Sequence, residues 1–161
     1  MIQRKQSVYL ALLGIICLLL ILLDPSYVSG TVLIDGNLTP QFEFSNNNTT
    51  VFSEPVTLIS RTNSMYAFIL CSSLAILSIF LFKKRELQIR LTAFNFLFIS
   101  LAIFYLVYEW YKMNHMTDVQ ITSYNFHLSI VLPFVLPLIN FLALKGIRKD
   151  IELVASADRL R

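Results

Sequence analysis

The side chains able to do chemistry are few and scattered. Glu109 and Lys112 stand three residues apart, a spacing that pairs them on a helix surface, so Glu109 reads as half of an ion pair rather than as a proton relay. His115 and His127 do not have the spacing of metal ligands. The chain holds no HExxH, no phosphate-binding glycine loop and no GxSxG elbow. Cys17 and Cys71 each lie inside an apolar run and read as small packing residues rather than a redox or metal pair. No ionisable residue sits near the centre of an apolar segment, where charge-coupled transporters usually keep one. This inventory predicts no catalytic residue, no metal site and no cofactor. What remains is a pair of amides. Asn95 and Asn140 each lie about one turn from the same end of two consecutive, oppositely directed segments. They are expected at one depth, joined by an interhelical hydrogen bond worth roughly 0.6–2 kcal/mol. The functional alternative is two amides facing a ligand pocket.

The segments that position these residues dominate the composition. Of 161 residues, 56% are hydrophobic and 14% charged, whereas a soluble domain carries about 25% charged residues. Four apolar segments are expected as membrane spans, at about 7–23, 64–82, 91–111 and 127–144. The first reaches about 25 Å as a helix, the short end of what a bilayer requires. A cleavable leader ending near Val28-Ser29-Gly30 is its competing reading. Residues 24–63 and 112–126 are then loops on one side. Residues 83–90 form a charged loop on the other, and 145–161 a charged tail. Asp35-Gly36-Asn37 is a turn signal between β-prone runs and predicts a hairpin of about Val28–Asp35 with Leu38–Phe44. A third extended piece is expected after it. Asn46-Asn47-Asn48 reads as a loop tip, and 112–126 as a short polar connection. The expected fold class is an all-α membrane protein of one domain, an antiparallel four-helix transmembrane bundle with a small extended or hairpin outer loop.

Packing signals agree with this. Ser64, Ala67, Cys71, Ala75 and Ser78 recur at helical spacing and put small residues on one face of the second segment, where they allow close helix approach. Phe104, Tyr105, Tyr108, Trp110 and Tyr111 crowd the end of the third segment and mark a membrane boundary. Pro133 and Pro137 each remove a helix donor, so a kink is expected in the fourth segment.

Charge sets the orientation. Arg4, Lys5, Lys83, Lys84, Arg85, Arg90, Lys145, Arg148, Lys149, Arg159 and Arg161 fall on one side, and only Arg61 and Lys112 on the other. The positive-inside rule places both termini and the central charged loop in the cytoplasm. Lys83, Lys84, Arg85, Arg90, Arg148, Lys149, Arg159 and Arg161 then form a cytoplasmic basic face, each attracted to anionic lipid by about 1 kcal/mol. A net charge of +3, so localised, does not suggest a nucleic-acid partner.

Three stretches carry a resemblance. They are the opening Met1–Leu10, the central Lys83–Leu91, and the close, Ile139–Asp150 with Ser156–Arg161. Together they resemble an uncharacterised family of small four-span inner-membrane proteins of Bacteroidota. The resemblance implies a bacterial cytoplasmic membrane and four helices, and supplies no activity and no site residue. The expected role is therefore non-enzymatic, in binding partners or assisting assembly. The partners are the bilayer and a membrane protein or a second copy. A subunit of a transporter or channel is the alternative, and an enzyme acting on lipid or quinone the third reading.

Overall fold

The computed structural model describes residues 5–34, 37–51, 57–61, 64–82, 84–115 and 119–159. Four helices carry the chain: α1 (Lys5–Leu23), α2 (Ser64–Phe80), α3 (Arg85–Asn114) and α4 (Val131–Arg159). They pack in a ring, α1 against α2 and α4, and α3 against the same two. Gln6–Leu23, Arg85–Asn114 and Leu128–Leu153 are long and apolar enough to cross a membrane; α2 is apolar but shorter, at 17 residues. Large apolar side chains cover the outside of the ring, among them Leu22, Phe80, Phe94, Phe104 and Leu138. In water such a surface would be an association liability. Against hydrocarbon it costs nothing.

The interior follows the expected small-residue logic. Ser64, Cys71, Ser72, Ala75 and Ser78 of α2 are buried. A Cβ built on Gly14 of α1 would lie 3.8 Å from the Ala75 Cβ, an ordinary contact. The Ser72 hydroxyl reaches the Gly14 carbonyl at 3.5 Å. Cys17 and Cys71 are free thiols buried in this packing.

One end of the ring carries a five-stranded antiparallel sheet in the order β4-β3-β2-β1-β5. Its strands are β1 (Val28–Ile34), β2 (Asn37–Phe44), β3 (Asn48–Val51), β4 (Thr57–Arg61) and β5 (Val119–Phe126). The hairpin and the third extended piece appear as expected. The fold is mostly helical rather than all-α, however, because 112–126 is more than a polar connection. Val119–Phe126 pairs with β1 over its whole length. Its β-branched and aromatic residues suit a half-buried strand, and its partner lies some ninety residues away in sequence, where local reading cannot see it.

Where β1 starts between β2 and β5, the face toward the helices is apolar and the other polar, the usual alternation when one side is covered. Val28 stands opposite Phe44 and Phe126, and Gly30 opposite Phe42 and Tyr124. These face the helix ends, while Ser29 and Thr31 alternate with them. Gly30 is required by close approach. A Cβ there would lie 2.0 Å from the Ser123 carbonyl oxygen and 2.7 Å from the Phe42 ring.

The charged tail is helical and continues α4 without a break, to Arg159. Two further differences from expectation concern the helices. Residues 85–90 of the central charged run belong to α3 rather than to a loop, with Glu86 in the first turn, where it complements the helix dipole. Pro133 does not interrupt a helix. A single 3-10 turn at Leu128–Ile130 precedes α4, and Pro133 falls in the first turn, where its missing N–H has no intrahelical partner to lose. Only Pro137 lies inside the helix.

The two glycines give a paired prediction. Gly30→Ala should destabilise the fold by at least about 1–3 kcal/mol through overpacking, whereas Gly14→Ala should be neutral or stabilising by about 0.5–1 kcal/mol through helix propensity. Thermal unfolding of the two variants in mild detergent, followed by circular dichroism, separates them.

Candidate functional site

Polar side chains gather at both ends of the helix ring, in different ways. At the sheet end they are largely matched, with Asp24 Oδ1 and Asn48 Oδ1 the buried exceptions among the described residues. α1 stops at Asp24, whose φ of 38° turns the chain out of the helix just before Pro25. The last carbonyls of a helix have no intrahelical donor. Asn46, 1% exposed, supplies one: its Nδ2 donates to the Leu20 carbonyl at 2.8 Å. Its Oδ1 accepts the Tyr27 hydroxyl at 2.5 Å, and its backbone carbonyl accepts the hydroxyl of Ser64, the first residue of α2, at 2.8 Å. Asn46 is thus a buried hub and not an exposed loop tip. Burial, with the Asp24 charge adding to it, pushes the Tyr27 hydroxyl well above the usual phenol range, although its bond to Asn46 pulls the other way. Tyr27 remains a donor at any physiological pH. Around it the Ser45 hydroxyl donates to Asp24 at 3.1 Å, Ser29 meets His127 Nε2 at 2.9 Å, and the Ser129 hydroxyl donates to the Ser26 carbonyl.

Beneath the sheet the rings form one contact chain. Tyr27 meets Phe44 at 6.3 Å, Phe44 meets Trp110 at 5.6 Å, and Trp110 meets Tyr124 at 5.8 Å, the last two edge to face. Tyr124 stacks on Phe126 at 6.4 Å and donates its hydroxyl to Asn114 at 3.2 Å. The expected boundary aromatics are therefore divided. Trp110 joins the sheet, whereas Phe104, Tyr105 and Tyr108 contact one another along α3. A crevice opens between α3 and α4 under the sheet, with walls that include Val28, Phe44, Val107, Trp110, Phe126 and Phe134.

The opposite end holds a buried amide and hydroxyl layer contributed by all four helices: Gln6, Ser78, Gln88, Thr92, Asn95 and Asn140. Gln88 Nε2 donates to the Ser78 carbonyl at 3.0 Å and the Thr92 hydroxyl to the Gln88 carbonyl at 2.8 Å. Asn95 and Asn140 are both in the interior, 0% and 1% exposed. They do not bond to each other. Asn140 Nδ2 donates to the Thr92 carbonyl at 3.0 Å, about one turn before Asn95, because a helix carbonyl keeps a second lone pair. Neither polar atom of the Asn95 side chain has a partner in the structure, nor has either of Gln6, nor Ser78 Oγ, Gln88 Oε1 or Asn140 Oδ1. Sequence reading found Asn95 and Asn140 from their depth. It placed Ser78 on the small-residue face of α2, and it missed Gln6 and Gln88, which lie at segment ends, where a polar residue looks exposed.

The basic residues lie at this same end. Lys84, Arg90, Lys145, Arg148 and Lys149 are exposed. Arg85 donates from Nη1 to the Asp150 carbonyl at 3.3 Å and ties the start of α3 to α4. Lys83 and Arg161 lie outside the described residues; Arg159 ends α4.

Glu109 and His115 are not brought together. Glu109 is 6% exposed, turned inward rather than out on the helix surface, with Lys112 Nζ at 4.0 Å. His115 is exposed, its Nδ1 at 2.9 Å from the Tyr111 carbonyl, and Asp118 lies outside the described residues. Among the described residues no three His, Cys, Asp or Glu side chains are grouped as metal ligands.

Residues 2–160 match the family described as a domain of unknown function (DUF4293), and the chain belongs to that family. No curated protein matches it.

The amide layer yields a contrast. A buried polar group without a partner costs about 1–3 kcal/mol, so Asn95→Leu should leave stability unchanged or raise it. Asn140→Leu forfeits the bond to Thr92 and should lower stability by about 0.6–2 kcal/mol. Unfolding of both variants in one detergent and buffer reads the difference.

Proposed function

We propose that this DUF4293 protein is a four-span protein of the bacterial inner membrane, with both termini cytoplasmic, that works by binding another membrane protein rather than by catalysis. The apolar character of α2 beside three longer spans supports the fourth crossing. The basic residues collected at the end opposite the sheet support a cytoplasmic amide end and an outer sheet.

The observation that carries the binding role is the free edge of β5. It is an eight-residue edge strand without proline or charge, the devices that usually block strand addition. Tyr27 and His127 form a hydrogen-bonded step, His127 N donating to the Tyr27 carbonyl at 3.0 Å. Phe126 and Tyr124 are therefore out of phase with the β1 ladder, and their backbone N–H and C=O groups point away from it. An extended segment of a partner would complete those bonds. A second reading, a subunit of a small transporter or channel, is favoured by the unpartnered amide atoms of α1, α3 and α4 and the Ser78 hydroxyl of α2 at the other end.

Two measurements test these statements. Asn125→Cys should react with a membrane-impermeant maleimide in intact spheroplasts, and Lys149→Cys only after permeabilisation; the reverse pattern overturns the orientation. A photo-crosslinking residue at Thr122, incorporated in cells, should give one discrete adduct. Tyr124→Pro, which deletes an outward N–H, should abolish that adduct, and Tyr124→Ala, which removes the ring alone, should retain it. Equal adducts from both variants, or none from the parent, would sink strand addition.

A further inference from the structure

The crevice beneath the sheet has the walls of a hydrocarbon site. Its lining is apolar nearly throughout, the character of the walls that hold apolar ligands. Val28, Phe44 and Phe126 from the inner sheet face form the roof. Leu106 and Pro133, both buried, close the back. Val107 and Phe134 stand at the mouth, each more than half exposed. They belong to the outward surfaces of α3 and α4, two of the helices long and apolar enough to cross a membrane. The crevice is therefore continuous with the surface that meets hydrocarbon. Water finds almost no polar partner inside it, and a site needs two or more such partners to hold water well. Walls left without neighbours forfeit their dispersion contacts.

Depth narrows the class of occupant. Tyr27 and Trp110, whose rings carry one polar atom each, line the crevice close under the polar sheet. Such rings settle where headgroups meet chains. A molecule entering from the side at this level presents the first methylenes of its chain, with its headgroup beside the sheet.

We infer that the crevice binds one acyl chain of a bilayer phospholipid, with the roof formed by β1, β2 and β5 holding the upper part of the chain. The inference rests on the membrane reading of α3 and α4 and not on the partner-binding role. Trp110 is the single tryptophan of the chain and forms part of the wall, so it reports occupancy directly. The purified protein in detergent micelles is titrated with phosphatidylglycerol carrying bromines near the top of its chains, which quench indole fluorescence on contact. Quenching is expected to saturate near one lipid per protein. Val107→Phe narrows the mouth and should weaken the apparent affinity at least tenfold. Val131→Phe places the same bulk on an exposed position of α4 outside the crevice and should leave the titration unchanged. Quenching that rises without saturation, or that Val107→Phe and Val131→Phe alter equally, overturns the site. Saturation by brominated stearic acid but not by brominated phosphatidylglycerol overturns the phospholipid source. Because the titration needs neither a second protein nor an oriented membrane, its failure is distinct from failure of the strand-addition test.

Discussion

Everything at the sheet end depends on how α1 and α2 are tied off where they leave the helix ring. A helix that stops inside a packed fold leaves carbonyls that water cannot reach, and each must find a donor. Here one buried side chain does most of this. Asn46 donates to Leu20, accepts from Tyr27, and offers its own carbonyl to Ser64. The end of α1, the entry to β1, the turn after β2 and the start of α2 thereby meet at one residue. No aliphatic residue can replace its side chain, because the Leu20 carbonyl and the Tyr27 hydroxyl that it bonds are polar and buried.

That knot fixes the height of the sheet, and the sheet then joins the two halves of the chain. β1 follows α1 directly and β5 precedes α4, so pairing β1 with β5 links the outer segments of the α1–α2 and α3–α4 hairpins. Register matters here more than propensity. A slip of one residue would turn the buried Phe42 and Phe44 outward and take Phe44 and Tyr124 off Trp110. The backbone contact at Gly30 resists such a slip, since only a residue without Cβ fits opposite Ser123 and Phe42. The rings thus do two jobs. They supply the apolar underside of the sheet, and they hold it at a fixed distance from α3.

Much of the helical part was legible because one signal, continuous apolarity at helical length, is local and strong. The small-residue face of α2 followed from spacing alone, and the β1–β2 hairpin from Asp35-Gly36-Asn37 between β-prone runs. What escaped was non-local or ambiguous in polarity. β5 is decided by a partner strand far away in sequence. Asn46 sits among asparagines that look like a solvent loop, and nothing in its neighbours says that it is enclosed. Glu109 and Gln88 have spacings that fit an exposed helix face, and only packing of the ring turns them inward. For the candidate sites, sequence reading reached Asn95 and Asn140 but not the layer they belong to, because membership in a layer is a property of four helices at once.

The two ends therefore differ in a way that bears on mechanism. At the sheet end the buried polar atoms are largely matched, and a matched network in a low-dielectric interior rigidifies what it joins. At the opposite end Gln6, Ser78, Gln88, Asn95 and Asn140 keep donors and acceptors without partners. Nature tolerates such groups where they serve a purpose beyond holding the fold. The first kind of end carries the edge strand β5. The second kind lets helices shift at small cost, because few bonds must break when they do. Arg85, bonded to the Asp150 carbonyl, couples α3 to α4 just outside that layer, among exposed basic residues that anionic lipid would attract. The largely matched sheet end and the loosely bonded amide layer thus stand at opposite ends of one helix ring.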